Sequence, residues 1–271
     1  MDPLQAVVLV LVGIAIGSYA TAIGAGGGFL ITPLLLVLYP SVEAVEVTTA
    51  SLTIVLFSSI ASTLIMWREQ LMDLPLVGAL AVLAIPFALL GGYATSFVPR
   101  EAFAIGFAVL LGGIGAYLIW RPVAGIAAPA RIAWDRLHEA GDGTSYAYRI
   151  PILPSIPANA GTAFLGALAG IGGGAIGVPI MTRIMRVPHP IATTSMHALI
   201  VIQSAFVVGM HLAADHQGEP MEAVPWLALG GVLGSPAGRI LRRRLGEGPL
   251  MRALALGLFF IAARTAWGAF E

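Results

Sequence analysis

The chain contains no cysteine and no lysine, and Asn159 is its single asparagine. Without cysteine there are no disulfides, no thiolate nucleophile and no cysteine-ligated metal. The absence of lysine, with all fourteen basic side chains arginine, fits a bias toward GC-rich codons. Charge of either sign is scarce. It makes up 10% of 271 residues, where an ordinary soluble domain carries about 25%. Fourteen arginines balance fourteen acids, which excludes a nucleic-acid binder that works by bulk positive charge. What is present is apolar: 58% of the residues, with a mean hydropathy of +0.91. That excludes a soluble enzyme and a disordered tail, and leaves an all-α polytopic membrane protein.

A helix needs about 20 apolar residues to cross the hydrocarbon core. Val47–Trp67, Leu74–Val98, Ala102–Trp120, Ile191–Ala213, Val224–Ile240 and Leu250–Ala269 meet that requirement. Two further apolar stretches, Leu4–Tyr39 and Ile156–Val187, are too long for one ordinary crossing. Each is cut by a glycine cluster, Gly24-Ala25-Gly26-Gly27-Gly28 and Gly170-Ile171-Gly172-Gly173-Gly174. Glycine is the poorest helix former after proline, so each cluster is expected to break its helix. Residues 1–23 carry no basic residue before their apolar run and do not read as a signal peptide.

The two clusters superimpose at a fixed offset. Gly24, Gly26, Gly27, Gly28 and Pro33 match Gly170, Gly172, Gly173, Gly174 and Pro179. Downstream, Val47-Thr48-Thr49 matches Ala192-Thr193-Thr194, although pairing Ser51 with Ser195 is an alternative register. Three crossings follow each hydroxyl cluster. The chain therefore divides into a first repeat over 1–120, a linker over 121–150 and a second repeat over 151–271. Within the linker, Arg131–Ala140 reads as a short interfacial helix or as a solvated connector.

Cytoplasmic loops are enriched in basic residues. Placing Arg68 and the linker inside puts Glu43 and Glu46 outside, with Arg100 as an exception. Arg183, Arg186 and the cluster Arg239, Arg242, Arg243 and Arg244 then fall inside, and Asp215, Glu219 and Glu222 outside. This works only if both glycine-broken segments are re-entrant hairpins. The expected fold is two inverted-topology repeats, each a re-entrant hairpin plus three transmembrane helices, with both termini outside. Glycine-interrupted segments at corresponding positions of two halves point to the substrate site of such a transporter.

The half-helices that follow the clusters begin near Phe29 and Ala175. Their first amides lack intrahelical acceptors and carry the positive end of the helix dipole. Glycines let an anion approach those amides closely. Gly26, Gly27 and Gly28, facing Gly172, Gly173 and Gly174, thus form a candidate anion site without lysine or arginine. Thr49, Ser51, Thr194 and Ser195 are candidate hydroxyl donors to the anion, and Gln203 a candidate amide donor. His197 is a candidate substrate or proton group, or else a satisfied structural donor. Gly230, Gly234 and Gly238, spaced by four, read as helix packing. No cofactor or metal site is expected.

The doubled Gly-x-Gly-Gly-Gly-(x)4-Pro pattern, Gly24–Pro33 and Gly170–Pro179, resembles the signature of the sulfite exporter TauE/SafE family. So does Ala192-Thr193-Thr194-Ser195. The resemblance covers nearly the whole chain, and Thr49-Ala50-Ser51 departs from it where the family often has adjacent Thr and Ser. It implies transport, commonly export, of sulfite or small organosulfonates across the plasma (inner) membrane. Coupling to a proton or cation, and a homo-oligomeric assembly, stay open. An intramembrane Ser195–His197 enzyme is disfavoured, because residues two apart on a helix face opposite sides. A metal-ion permease would need membrane carboxylates or clustered ligands, and Met181, Met185 and Met196 are scattered.

Overall fold

The computed structural model describes residues 2–120, 132–245 and 247–268. In the first half the helices are α1 (Pro3–Ile23), α2 (Gly28–Leu38), α3 (Ala44–Trp67), α4 (Leu74–Thr95) and α5 (Arg100–Trp120). Two strands follow, β1 (Ala133–Glu139) and β2 (Ser145–Pro151). The second half holds α6 (Ile152–Leu168), α7 (Gly174–Arg183), α8 (His189–Ala213), α9 (Val224–Leu245) and α10 (Glu247–Gly268), with a 3-10 turn at Glu219–Ala223.

Five of these helices, α1, α3, α4, α5 and α8, are long and apolar enough to cross a membrane. The pair α9–α10, bent by 119°, makes a sixth if it is counted as one broken span. The protein is therefore a polytopic helical membrane protein. Its outward surface agrees, since Leu4, Val82, Val109 and Phe260 are each at least two-thirds exposed. Helix α9 was expected to qualify alone. Pro225, Pro236 and Arg239 lower its hydropathy, while Gly230, Gly231, Gly234 and Gly238 let it approach α1. A Cβ on Gly13 would lie 2.6 Å from the Leu227 carbonyl oxygen, and one on Gly17 2.6 Å from Gly231 Cα. Without a hydrophobic drive between helices in lipid, such close van der Waals contact holds them together.

These contacts also fix directions. Val10, Ile14 and Ser18 meet Gly230, Gly234 and Gly238 in order, so α1 and α9 run parallel. In the same way α6 runs parallel to α4: Asn159 Nδ2 donates to the Leu80 carbonyl at 2.9 Å, and Thr95 Oγ1 donates to the Leu168 carbonyl at 3.1 Å. The first helix of each half thus packs along the fourth helix of the other. Helices α3 and α8 pack together, as do α5 and α10.

Leu4–Tyr39 was expected to be a hairpin of two short arms. Its first arm is instead a 21-residue helix, because the glycines begin past the middle of the stretch. The second arm has 11 residues and runs back along α3. Arg100 donates to the carbonyls of Leu36 and Val42, both at 2.6 Å. This basic residue at the acidic end closes the carbonyl-rich terminus of α2.

The expectation of an interfacial helix at Arg131–Ala140 is overturned. Residue 131, like the rest of 121–131, lies outside the described residues. From Ala133 the chain forms an antiparallel hairpin with Trp134 opposite Ile150 and Asp135 opposite Arg149. Alternate side chains face in and out at period two, and Gly143 takes φ 83° in the turn. Such a turn closes a hairpin and cannot continue a helix.

Candidate functional site

The glycine loops repeat in backbone conformation as well as in sequence. Gly24, Gly26 and Gly27, and their counterparts Gly170, Gly172 and Gly173, all have φ between 68° and 84°. A side chain is strained at such φ, so this turn selects glycine. Gly27 and Gly173 cap the N-termini of α2 and α7. The remaining glycines permit contact between the loops. A Cβ on Gly28 would lie 2.6 Å from Ile171 Cα, and one on Gly174 would strike the Ala25 backbone. The two loops lie back to back at the centre of the molecule, where Gly26 and Gly172 both touch Val55 of α3 and Ile200 of α8. Both half-helices therefore start at mid-height.

The predicted side chains divide between the centre and the two ends. Ser51 lies at the centre, where its hydroxyl donates to the Gly170 carbonyl at 2.8 Å. Thr32, missed in the sequence, donates to Ser51 Oγ at 2.9 Å and also reaches the Ala169 and Gly170 carbonyls. These hydroxyls hold the second loop in place. Gln203 is also central, with Oε1 3.3 Å from the Cβ position of Gly173, and Ser204 Oγ lies 3.4 Å from that of Gly172. Among the described residues, Gln203 Nε2 and Ser204 Oγ are buried without a hydrogen-bond partner. So is Ser59 Oγ, and the fully buried His197 ring lies against the Thr21 backbone of α1. A buried donor without a partner is costly, and a polar ligand can satisfy it. Beside the first loop, a cavity of about 10 Å³ touches Gly26, Ser58 and Gly231, space for about one water.

Thr49 lies toward the acidic end of α3. Its hydroxyl meets Nδ1 of His211 at 2.8 Å, and Nε2 of that ring lies 3.1 Å from the Gly92 carbonyl. His211 was not anticipated as a partner. Thr194 lies at the arginine-rich end, where Arg242 Nη1 donates to its hydroxyl at 3.2 Å. Arg242 also pairs with Glu69, which Arg239 Nε reaches at 2.6 Å. From sequence alone, Arg239 and Arg242 read only as topology determinants.

Ser195 accepts from the Asp73 amide at 3.2 Å. Asp73 itself is fully buried. Its carboxylate caps α4 through the Leu76 amide, pairs with Arg136 of β1 at 2.6 Å and accepts from the Tyr148 hydroxyl of β2. Burial alone would raise its pKa. The hydrogen bonds from Arg136, Tyr148 and Leu76 outweigh that and hold it below the usual carboxylate range. Asp73 thereby joins the hairpin, the first half and the Thr-Thr-Ser turn of the second half.

Two vestibules open at opposite ends. One, of about 500 Å³, is lined by Arg68, Glu69, Asp142, His189, Arg242 and Arg243 among others. The other, of about 380 Å³, lies between Ser41–Val45 and Thr95–Arg100. The first reaches the N-terminus of α8 and the second that of α3. Among the described residues, no group of three His, Asp or Glu is placed to hold a metal ion.

The model of the family described as sulfite exporter TauE/SafE matches residues 9–265. The chain is similar to the "Probable membrane transporter protein YunE" of Bacillus subtilis (strain 168), with 25% identity over 246 residues. That match covers 88% of this chain and 90% of the relative. No solved structure matches the chain.

Proposed function

The chain belongs to the sulfite exporter TauE/SafE family and is a membrane transporter; from that premise we propose that it is a secondary carrier of small sulfur oxyanions, sulfite or an organosulfonate, exported across the plasma (inner) membrane. One observation carries this. Two half-helix N-termini meet at the centre of the molecule, with the unpartnered Gln203 Nε2 and Ser204 Oγ beside the second loop. Amide dipoles and neutral donors together bind an oxyanion without a fixed cation. A neutral site also releases its ligand more readily than a charged one.

The two halves act as inverted repeats. The reciprocal packing of α1 on α9 and of α6 on α4, and the glycine loops that enter from opposite ends, support that reading. In such folds one repeat rocks against the other and exposes a central site to each side in turn. The vestibules at the two ends are the corresponding access paths. Positive charge assigns the end with Arg68 and Arg242 to the cytoplasm. A proton or cation coupled to transport, and assembly into a homo-oligomer, belong to the same proposal as open choices of mechanism.

The test is flux into and out of liposomes that carry the purified protein, with sulfite, sulfate, thiosulfate and sulfoacetate, with and without a pH gradient. Saturable sulfite flux that is lost in Gly27→Leu and Gly173→Leu is the expected result. Flux of none of these anions, or flux untouched by both substitutions, overturns the proposal.

A further inference from the structure

The cytoplasmic vestibule contains a side-chain cluster that the central site does not use. Arg239 and Arg242, one turn apart on α9, converge on the single carboxylate of Glu69. Arg242 is only 9% exposed, and its other amino group faces the hydroxyls of Thr194 at 3.2 Å and Thr193 at 3.5 Å. On the same wall, Nε2 of His189 is buried with no partner among the described residues. The cavity of about 500 Å³ opens directly onto Glu69, His189 and Arg242. Two guanidinium groups thus hold one carboxylate, with two hydroxyls on the far side of Arg242 and an unpartnered imidazole nitrogen on the wall of the same cavity. A planar carboxylate on arginine forks has the hydrogen-bonding geometry of a bound oxyanion.

The structure assigns this cluster as a second anion site, with Glu69 as its tethered occupant. An oxyanion arriving from the cytoplasm takes the place of the Glu69 carboxylate on Arg239 and Arg242. Its remaining oxygens accept from His189 Nε2, and from Thr193 and Thr194 once their hydroxyls turn away from the His189 and Pro190 carbonyls to which they donate. Thr193 is also the residue against which Gly24 packs, so the occupied cluster adjoins the first glycine loop. The site rests on the proposed transport of sulfur oxyanions for the identity of its ligand, and on its own geometry for its existence. Glu69 sets a selectivity threshold: a weakly charged anion does not displace it, and a doubly charged oxyanion does.

The experiment measures sulfite and sulfate binding to the purified full chain in detergent, by calorimetry, together with liposome flux. Removing the competing charge in Glu69→Gln is expected to tighten binding by about tenfold. Arg242→Lys, which keeps the charge and loses the fork, is expected to weaken it by about tenfold. Thr194→Val removes a single hydroxyl from a helix end, keeps the protein folded, and is expected to weaken binding several-fold. Equal affinities in the wild type and Glu69→Gln, or affinities unchanged in both Arg242→Lys and Thr194→Val, overturn the site. If sulfite flux continues with an unaltered KM in all three variants, this site falls while the transport reading stands. If the binding pattern holds and no sulfite crosses the membrane, the site stands and the assigned cargo falls.

Discussion

Thr48 and Thr193 hold equivalent places against opposite glycine loops. A Cβ on Gly170 would lie 3.1 Å from Thr48 Cα, and a Cβ on Gly24 would lie 3.0 Å from Thr193 Cα. This reciprocity selects the register that pairs Val47-Thr48-Thr49 with Ala192-Thr193-Thr194 over the one that pairs Ser51 with Ser195. It also separates residues that look alike in sequence. Ser51 supports a loop carbonyl, and Ser195 receives the Asp73 amide at the arginine-rich end.

The contact between the loops leaves no room for a methyl group. Gly28→Ala and Gly174→Ala are expected to abolish both transport and cooperative thermal unfolding, because the new Cβ meets backbone that cannot yield. Gly106→Ala, where nothing lies within 4 Å of the new Cβ, is expected to leave flux intact and the melting temperature unchanged or slightly raised. Detergent melting curves and liposome flux on the three proteins check this. Equal behaviour would show that the loops are not locked together.

Ser51 and Thr32 share the task of holding the Gly170 carbonyl. Ser51→Ala is expected to cost about 1–3 kcal/mol of stability, the penalty for a buried group that loses a partner. Thr32→Val is expected to cost a similar amount. Because the two hydroxyls bond each other, the double variant is expected to lose less than the sum of the singles. A double-mutant cycle by chemical unfolding measures the difference, and strict additivity would contradict the shared role.

Much of the architecture was legible because lipid imposes simple rules. Four of the expected crossings reappear as α3, α4, α5 and α8 with small changes at their ends. The doubled glycine pattern marked both loops, since their positive φ values admit little else. The linker was misread even though Gly141-Asp142-Gly143 stood in the sequence as a hairpin turn. Apolar Ile132, Trp134 and Leu137 fit a helical stripe, whereas only Ile132 and Trp134 share alternate positions of a strand, so the stripe misled where the turn should have decided. The buried pairs Glu69–Arg242 and Asp73–Arg136 were not legible at all. Each joins residues more than 60 positions apart, so no local pattern announces them.

Asp73 makes docking of the hairpin sensitive to acid. Its carboxyl is held below the usual range in the folded protein. A group with a depressed folded-state pKa contributes stability above its unfolded value of about 4 and loses that contribution as the pH falls through the folded value. Amide hydrogen exchange in 133–151 is therefore expected to stay slow at neutral pH and to accelerate below about pH 4. In Asp73→Asn the same amides are expected to exchange fast at neutral pH, with little further change on acidification. A wild type and variant with the same pH profile would remove Asp73 from this role.

At the other end, His211 ties Thr49 of α3 to the Gly92 carbonyl of α4. His211→Leu removes the ring from the buried Gly92 carbonyl and leaves Thr49 only its bond to the Val45 carbonyl, at an expected cost of about 1–3 kcal/mol. His211→Gln can reach both and is expected to recover part of that loss. Melting temperatures of the two variants distinguish a structural bridge from a bystander, which would tolerate either change equally.

The back-to-back loops have a consequence for biosynthesis. Gly28 rests on Ile171 and Gly174 on Ala25, so each half completes the interior of the other. During translation the first half is inserted long before residues 170–174 leave the ribosome, and its loop must wait in the bilayer with polar backbone uncovered. That interval is when the nascent chain is most exposed to quality-control proteases and when an insertase or chaperone has most to protect. The two halves expressed as separate polypeptides would be expected to accumulate only when made together.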